Sequence, residues 1–183
     1  TMNKLQEAGY VYIGMDHFAL GDDSMVKAQQ EGSLQRNFQG YSTHAHTDLV
    51  AIGVSSIGSI FDSYSQNSSN IDDYREMVLA GKLPIVRGLV MNNDDLLRKQ
   101  VINQLICHFD LEITKFEEQW NIDFKEYFKS EMKQLDLMVE DGLVKVDEKS
   151  IKVETRGRLL IRNICMVFDN YLKDNVVKFS KVI

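Results

Sequence analysis

The chain has 183 residues, 44% apolar and 26% charged, a balance that suits one large globular domain or two small ones and argues against a disordered polymer. No apolar run approaches the ~18 residues of a bilayer-spanning helix, and the N-terminus lacks the basic-then-apolar layout of a signal peptide, so a cytoplasmic setting is expected. The net charge of −6 is split into −5 over residues 1–94 and −1 over residues 95–183; neither half has the Lys and Arg excess from which nucleic-acid affinity is built.

Taken in order, residues 5–9 read as the last turn of a helix stopped by Gly9, and residues 10–15 as a strand of β-branched and aromatic residues. Asp22 or Asp23 caps a helix over Ser24–Gln30 that stops at Gly32. A chain that opens on a helix end and runs strand, then helix, is expected to be cut from its other strands. Residues 1 to about 60 therefore read as the tail of a larger α/β unit.

Between Asn37 and Ile60, glycines, hydroxyls, an amide and aromatics gather without an amphipathic period, which suits backbone lying close to a ligand. Residues 49–54 are apolar enough for a buried strand. Ser55, Ser56 and Gly58 at its end either donate hydrogen bonds to a ligand, with Ile57 packed against it, or form a small-residue turn. Gly53 and Gly58 match neither a phosphate-binding loop nor a dinucleotide fingerprint.

Residues 62–70 read as a polar loop, Ile71–Leu79 as a short helix ending at Gly81, and Ile85–Val90 after Pro84 as strand-like within a linker region. From a cap at Asn93 or Asp94, Leu97, Val101, Leu105, Ile106 and Phe109 recur at helical spacing. A second helix from Asp123 to about Glu140 presents Phe124, Phe128, Leu135 and Met138. Residues 143–146 and 151–153 form two short strands around a polar turn, and a last helix after Thr155 carries Leu159, Leu160, Ile164, Val167, Phe168 and Leu172. Helix, hairpin, helix is the order of a winged-helix unit.

Several residues suggest chemistry, each with a plainer alternative. Arg156, Arg158 and Arg162 stand where a winged-helix protein places basic contacts, but Glu154 and Asp169 beside them favour surface pairing. His44 and His46 share one face of an extended segment and could hold a metal with Asp48, yet a third strong ligand is missing, which favours an exposed loop. His17 follows a strand directly, a position that in parallel α/β folds points at ligand; the alternative is a loop histidine bonded to backbone. Cys107 and Cys165 each lie in an apolar helical pattern and read as reduced core thiols, and Cys107 with His108 cannot form a nucleophile pair because adjacent helix positions face apart.

Five ordered segments carry a resemblance: residues 14–19 (GMDHFA), 36–41 (RNFQGY), 105–107 (LIC), 141–149 (DGLVKVDEK) and 157–166 (GRLLIRNICM). Together they resemble the C-terminal part of the bacterial oxygen-independent coproporphyrinogen III oxidase family, and the similarity extends through Phe179 to Ile183. The resemblance implies the tail of an incomplete (βα) radical S-adenosylmethionine barrel over residues 1–92 and a helical C-terminal domain over residues 93–183. It further implies an oxidoreductase that converts two propionates of coproporphyrinogen III to vinyl groups, using S-adenosylmethionine and a 4Fe–4S cluster. The family's Cys-x3-Cys-x2-Cys cluster motif is absent, so the chain is expected to lack the cluster, to need a missing N-terminal radical half, and to be inactive alone. The resemblance places Ile57 against S-adenosylmethionine and Phe38 and Gln39 near S-adenosylmethionine or substrate, and leaves His17 and Tyr41 as neighbours of the site. A winged-helix-like regulatory module and a porphyrin- or haem-binding protein remain as alternatives.

Overall fold

The computed structural model describes residues 2–45 and 47–172. His46 and residues 173–183, which hold the last resembling segment, lie outside the described residues.

Helix α1 (Met2–Glu7) ends through Gly9 in the left-handed region (φ 87), and strand β1 (Tyr10–Gly14) turns straight back into β2 (His17–Leu20). The pair is antiparallel, with Tyr12 opposite Phe18 and Gly14 opposite His17. Every strand pair among the described residues is antiparallel, so His17 follows a hairpin turn and does not sit at the end of a parallel strand, as the sequence suggested. Met15 in that turn takes φ 55, an unfavourable conformation for a long side chain, and the Tyr12 hydroxyl holds it by donating to the Met15 carbonyl at 3.0 Å.

Helix α2 (Ser24–Gln30) is capped by Asp23, which accepts from the Met25 N–H at 2.7 Å. Its Gln29 amide donates to the carbonyls of Ile13 and Cys107, each at 2.7 Å, and so ties β1 to the helix that carries Cys107. The hairpin of β3 (Gln35–Asn37) and β4 (Gly40–Ser42) follows.

Residues 49–54 do not form the expected buried strand. Only Leu49 makes a bridge, to Ser59, while Ile52 is 83% exposed. Buried Asn67 holds the segment as a loop by donating its amide to the carbonyls of Gly53 (2.9 Å) and Ala51 (3.4 Å). The strand instead starts at Ile57, as β5 (Ile57–Ile60). The supposed polar loop 62–70 is largely β6 (Ser63–Asn67), the middle strand of a sheet ordered β5–β6–β7, before α3 (Ile71–Leu79) and β7 (Ile85–Val90). Serines and amides mask its period, but the backbone donors and acceptors of a middle strand are paired on both edges, which outweighs weak side-chain propensity.

Helix α4 (Asn93–His108) starts one or two residues earlier than the Asn93 or Asp94 cap expected, at a capping box in which Asn92 and Asp95 satisfy each other's backbone N–H. It ends at Phe109 in the left-handed region (φ 60). Strand β8 (Asp110–Glu112) and helix α5 (Ile113–Trp120) follow, where the sequence showed no separate element. The single helix expected from Asp123 is two, α6 (Phe124–Tyr127) and α7 (Lys129–Glu140), broken at Phe128. The break allows Phe124 and Phe128, 4.7 Å apart between centroids, both to be fully buried. Strands β9 (Val144–Val146) and β10 (Ser150–Val153) complete a sheet ordered β8–β10–β9.

The last helix is also broken, into a 3-10 turn (Gly157–Leu160), α8 (Ile161–Met166) and a second 3-10 turn (Asn170–Leu172). Gly157 is buried against the Leu143 carbonyl, where a Cβ has no room, and this contact fixes the start of the segment. Leu159 and Leu160 consequently point outward, although the sequence placed them on the apolar side.

One apolar cluster joins Tyr12, Ile13, Val26 and Leu34 to Leu97, Leu105, Phe116, Phe124, Phe128, Ile151, Ile164 and Phe168. Each such side chain contributes about 1.5–3 kcal/mol by leaving water. Both cysteines belong to this cluster, as the sequence suggested. None of its fully buried members falls between Leu34 and Leu97; the β5–β6–β7 sheet is peripheral, with Phe61, Leu83, Val86 and Val90 exposed. The described residues thus mix helix and strand without a closed barrel. No described helix is long and apolar enough to cross a membrane.

Candidate functional site

Asn37 and Gly40 pair across the β3–β4 hairpin and leave Phe38 and Gln39 as its two-residue tip. The Asn37 side chain accepts from the Gln39 N–H at 2.9 Å, and Gly40 takes φ 136, so the tip is locally held while Phe38 remains 56% exposed. The Phe38 ring meets the Tyr64 ring edge-on at 5.2 Å, and Lys99 Nζ from α4 lies 4.9 Å from the Tyr64 centroid.

Tyr64 stands opposite Ser59 in the β5–β6 ladder, and Gln66 stands opposite Ile57. Side chains alternate across a strand, so Ile57, Ser59, Tyr64 and Gln66 share one face of the sheet, with Ile57 about 7 Å from Tyr64 on the diagonal. Phe38 therefore packs on the face that also presents Ile57. Ser55 and Ser56, expected as possible ligand donors, are used within the protein. The Ser56 hydroxyl donates to the Ile52 carbonyl at 2.7 Å, and the Ser55 N–H donates to the Ser68 carbonyl at 2.8 Å.

Behind the tip, Tyr41 is the organising ring. Its hydroxyl donates to the Ile106 carbonyl at 3.1 Å, the Arg36 guanidinium lies 5.5 Å from its centroid, and His17 packs edge-on at 5.2 Å. Burial pushes the Tyr41 phenol far above its ordinary range, so it stays protonated. Burial likewise pushes Cys107 up to about 12, against the opposing pull of Arg36. Asp16 Oδ1 approaches His17 Nδ1 to 2.8 Å without the alignment of a hydrogen bond.

The other candidates separate. The His44 N–H donates to the Ser42 hydroxyl, and Asp48 accepts from the Phe61 N–H at 2.9 Å, which are loop roles; His46 lies outside the described residues. Among the described residues, no group of three His, Cys, Asp or Glu side chains is placed to hold a metal ion. The expected surface pairing of the late arginines does not form among the described residues: Glu154 pairs with Lys145 at 3.2 Å, and Arg158 lies over Phe109 at 4.7 Å. Cys107 and Cys165 are buried in separate helices of the core, an environment that does not fit a 4Fe–4S cluster, whereas the exposed Phe38 ring and the neighbouring apolar Ile57 fit a planar organic ligand. Tyr64 and Lys99 were not legible as site residues, because only the sheet register and the packing of α4 bring them to Phe38.

Residues 91–160 match the family described as HemN C-terminal domain. Oxygen-independent coproporphyrinogen III oxidases of Pseudomonas aeruginosa and Escherichia coli are 53% and 48% identical to the chain over its full length, and that of Synechocystis is 41% identical. The chain covers 40% of the first two relatives and 41% of the third. A solved structure described as coproporphyrinogen III oxidase (HemN) from Escherichia coli, a radical SAM enzyme, is similar over 93% of this chain and 39% of that one, with a TM-score of 0.89 and 48% identity. The chain thus spans about two fifths of the length of the oxygen-independent coproporphyrinogen III oxidases it is similar to, and the HemN C-terminal domain match falls within it at residues 91–160.

Proposed function

We propose that this chain is the C-terminal portion of a cytoplasmic oxygen-independent coproporphyrinogen III oxidase, and that it lines one side of a site for S-adenosylmethionine and coproporphyrinogen III. The observation that carries the reading is the shared sheet face: Phe38 on Tyr64, with Ile57 on the adjacent diagonal. Ile57 packs against S-adenosylmethionine, and Phe38 with Gln39 borders S-adenosylmethionine or substrate. When bound in the complete enzyme, the 4Fe–4S cluster and S-adenosylmethionine supply the radical chemistry; this chain positions the ligands and keeps water out.

The cluster ligands belong to the missing N-terminal half, and the chain alone is inactive. Residues 1–92 are the tail of an incomplete (βα) radical barrel and its extension. The exposed Val86 and Val90 of edge strand β7, together with Phe61 and Leu83, pack on the missing half. Residues 93–172 are a helical domain of winged-helix type; the element order α4, β8, α5, α6, α7, β9, β10 and the sheet order β8–β10–β9 support that reading.

The experiment joins this chain to the preceding portion of the Pseudomonas aeruginosa relative and reconstitutes the cluster anaerobically. Conversion of coproporphyrinogen III to protoporphyrinogen IX is expected. A folded, cluster-loaded chimera that forms no product rejects the proposal.

A further inference from the structure

Beneath the Phe38 tip, the Arg36 guanidinium forms no ion pair among the described residues. It rests over the Tyr41 ring, and its Nε is buried without a hydrogen-bond partner. A guanidinium whose Nε is shielded in this way gives up part of its hydration and regains little from an aromatic face alone, a cost that a bound anion would offset. Its neighbours do not supply that anion. Tyr41, Cys107 and Cys165, the titratable groups coupled to it, are all kept neutral by burial, and the Tyr41 hydroxyl is occupied by the Ile106 carbonyl.

His17 packs on the same ring and reaches toward the tip: a Cβ placed on Gly40 would stand 3.7 Å from His17 Nε2. The Asp16 carboxylate is drawn to His17 Nδ1, on the other side of that imidazole. The strained Met15 turn, held by Tyr12, sets the position of this Asp16–His17 pair.

We infer that Arg36, seated on Tyr41 beside His17, anchors a carboxylate subsite next to the Phe38 tip. The planar fork of a guanidinium matches the two oxygens of a carboxylate. The inference rests on the function proposed above, under which two carboxylate-bearing molecules reach this place: the propionate side chains of the tetrapyrrole and the amino-acid end of S-adenosylmethionine.

The test uses the cluster-loaded chimera in its parent, Arg36→Gln and Arg36→Lys forms. Arg36→Gln is expected to raise either the KM for coproporphyrinogen III or the Kd for S-adenosylmethionine roughly 10- to 100-fold, with partial rescue by Arg36→Lys. The ligand affected identifies the source of the carboxylate. Two preference ratios separate a lost contact from a damaged fold: coproporphyrin III against its methyl ester, and S-adenosylmethionine against its decarboxylated analogue, each titrated into parent and variant. Arg36→Gln is expected to abolish the preference for the free acid in one pair. Both preferences unchanged in Arg36→Gln would overturn the subsite. A parent chimera that binds these ligands but makes no protoporphyrinogen IX instead counts against the proposed function, and the same ratios still decide the subsite.

Discussion

The Tyr41 hydroxyl donates to the Ile106 carbonyl at 3.1 Å, joining two residues 65 positions apart. This contact fastens the β3–β4 hairpin, and with it the Phe38 tip, to the C-terminal turn of α4. Tyr41→Phe keeps the ring contacts to Arg36 and His17 but leaves the Ile106 carbonyl without that donor. A loss of about 1 kcal/mol is expected in denaturant unfolding; an unchanged midpoint would show that the hydroxyl contributes nothing.

Arg98 links α4, α7 and the segment after α8 by donating to Asp94 at 2.8 Å, Glu131 at 3.1 Å and the Phe168 carbonyl at 3.2 Å. Burial lowers its proton affinity, but the hydrogen bonds it donates to both carboxylates outweigh this and hold it above the ordinary value. Glu131 is only 2% exposed, so Arg98→Met removes the Arg98 cation from beside a buried carboxylate that also accepts from the Ser130 hydroxyl at 2.7 Å. A loss of about 3–5 kcal/mol is expected, with most of it recovered in Arg98→Met/Glu131→Leu. Chemical denaturation of both variants measures it; a double variant as unstable as the single one contradicts the electrostatic account.

The Asp147 carboxylate accepts from the N–H groups of Lys149 and Ser150, each at 2.7 Å, in the turn between β9 and β10. These backbone hydrogen bonds pull its pKa below the ordinary 3.8. A depressed folded pKa contributes stability above 3.8 that disappears as pH falls through the lower folded value. Asp147→Ala should therefore be less stable than the parent at neutral pH, with the gap closing in acid below about pH 3.8. Unfolding midpoints for both proteins across that range check the sign.

Burial holds both Cys107 and Cys165 at about 12. Neither thiol should react with a disulfide reagent at pH 8 in the folded state, and both should react once the chain is unfolded. A rapid phase in the native protein would place at least one of them at the surface.

Ile57→Asp puts a carboxylate on the face that Phe38 and Tyr64 border. In the reconstituted chimera it should weaken S-adenosylmethionine binding, because a charge without a partner would be desolvated against the ligand. Calorimetric titration giving the parent affinity would remove Ile57 from the proposed site.

Much of the helical architecture was legible because its causes are local. Asp23 before α2, the Asn92 to Asp95 box before α4 and the Asp147 turn between β9 and β10 act within a few residues of themselves. The candidate site was legible only in part. Ile57 entered from the residue pattern as well as the resemblance, and Phe38 and Gln39 through the resemblance, while Tyr64, Lys99 and Arg36 carried no local signal of their place beside them.

By itself, then, the sequence determined the capped helices, the late hairpin, the buried thiols and the ordered motifs that carry the resemblance, since each depends on spacing within a short stretch. Tertiary structure decided that residues 63–67 form a middle strand, that the helix from Asp123 breaks at Phe128, and that Phe38 packs on Tyr64, on the sheet face that also presents Ile57. Those outcomes depend on ladder partners and core contacts far along the chain, whose energies exceed the local preferences of serine, glutamine and phenylalanine.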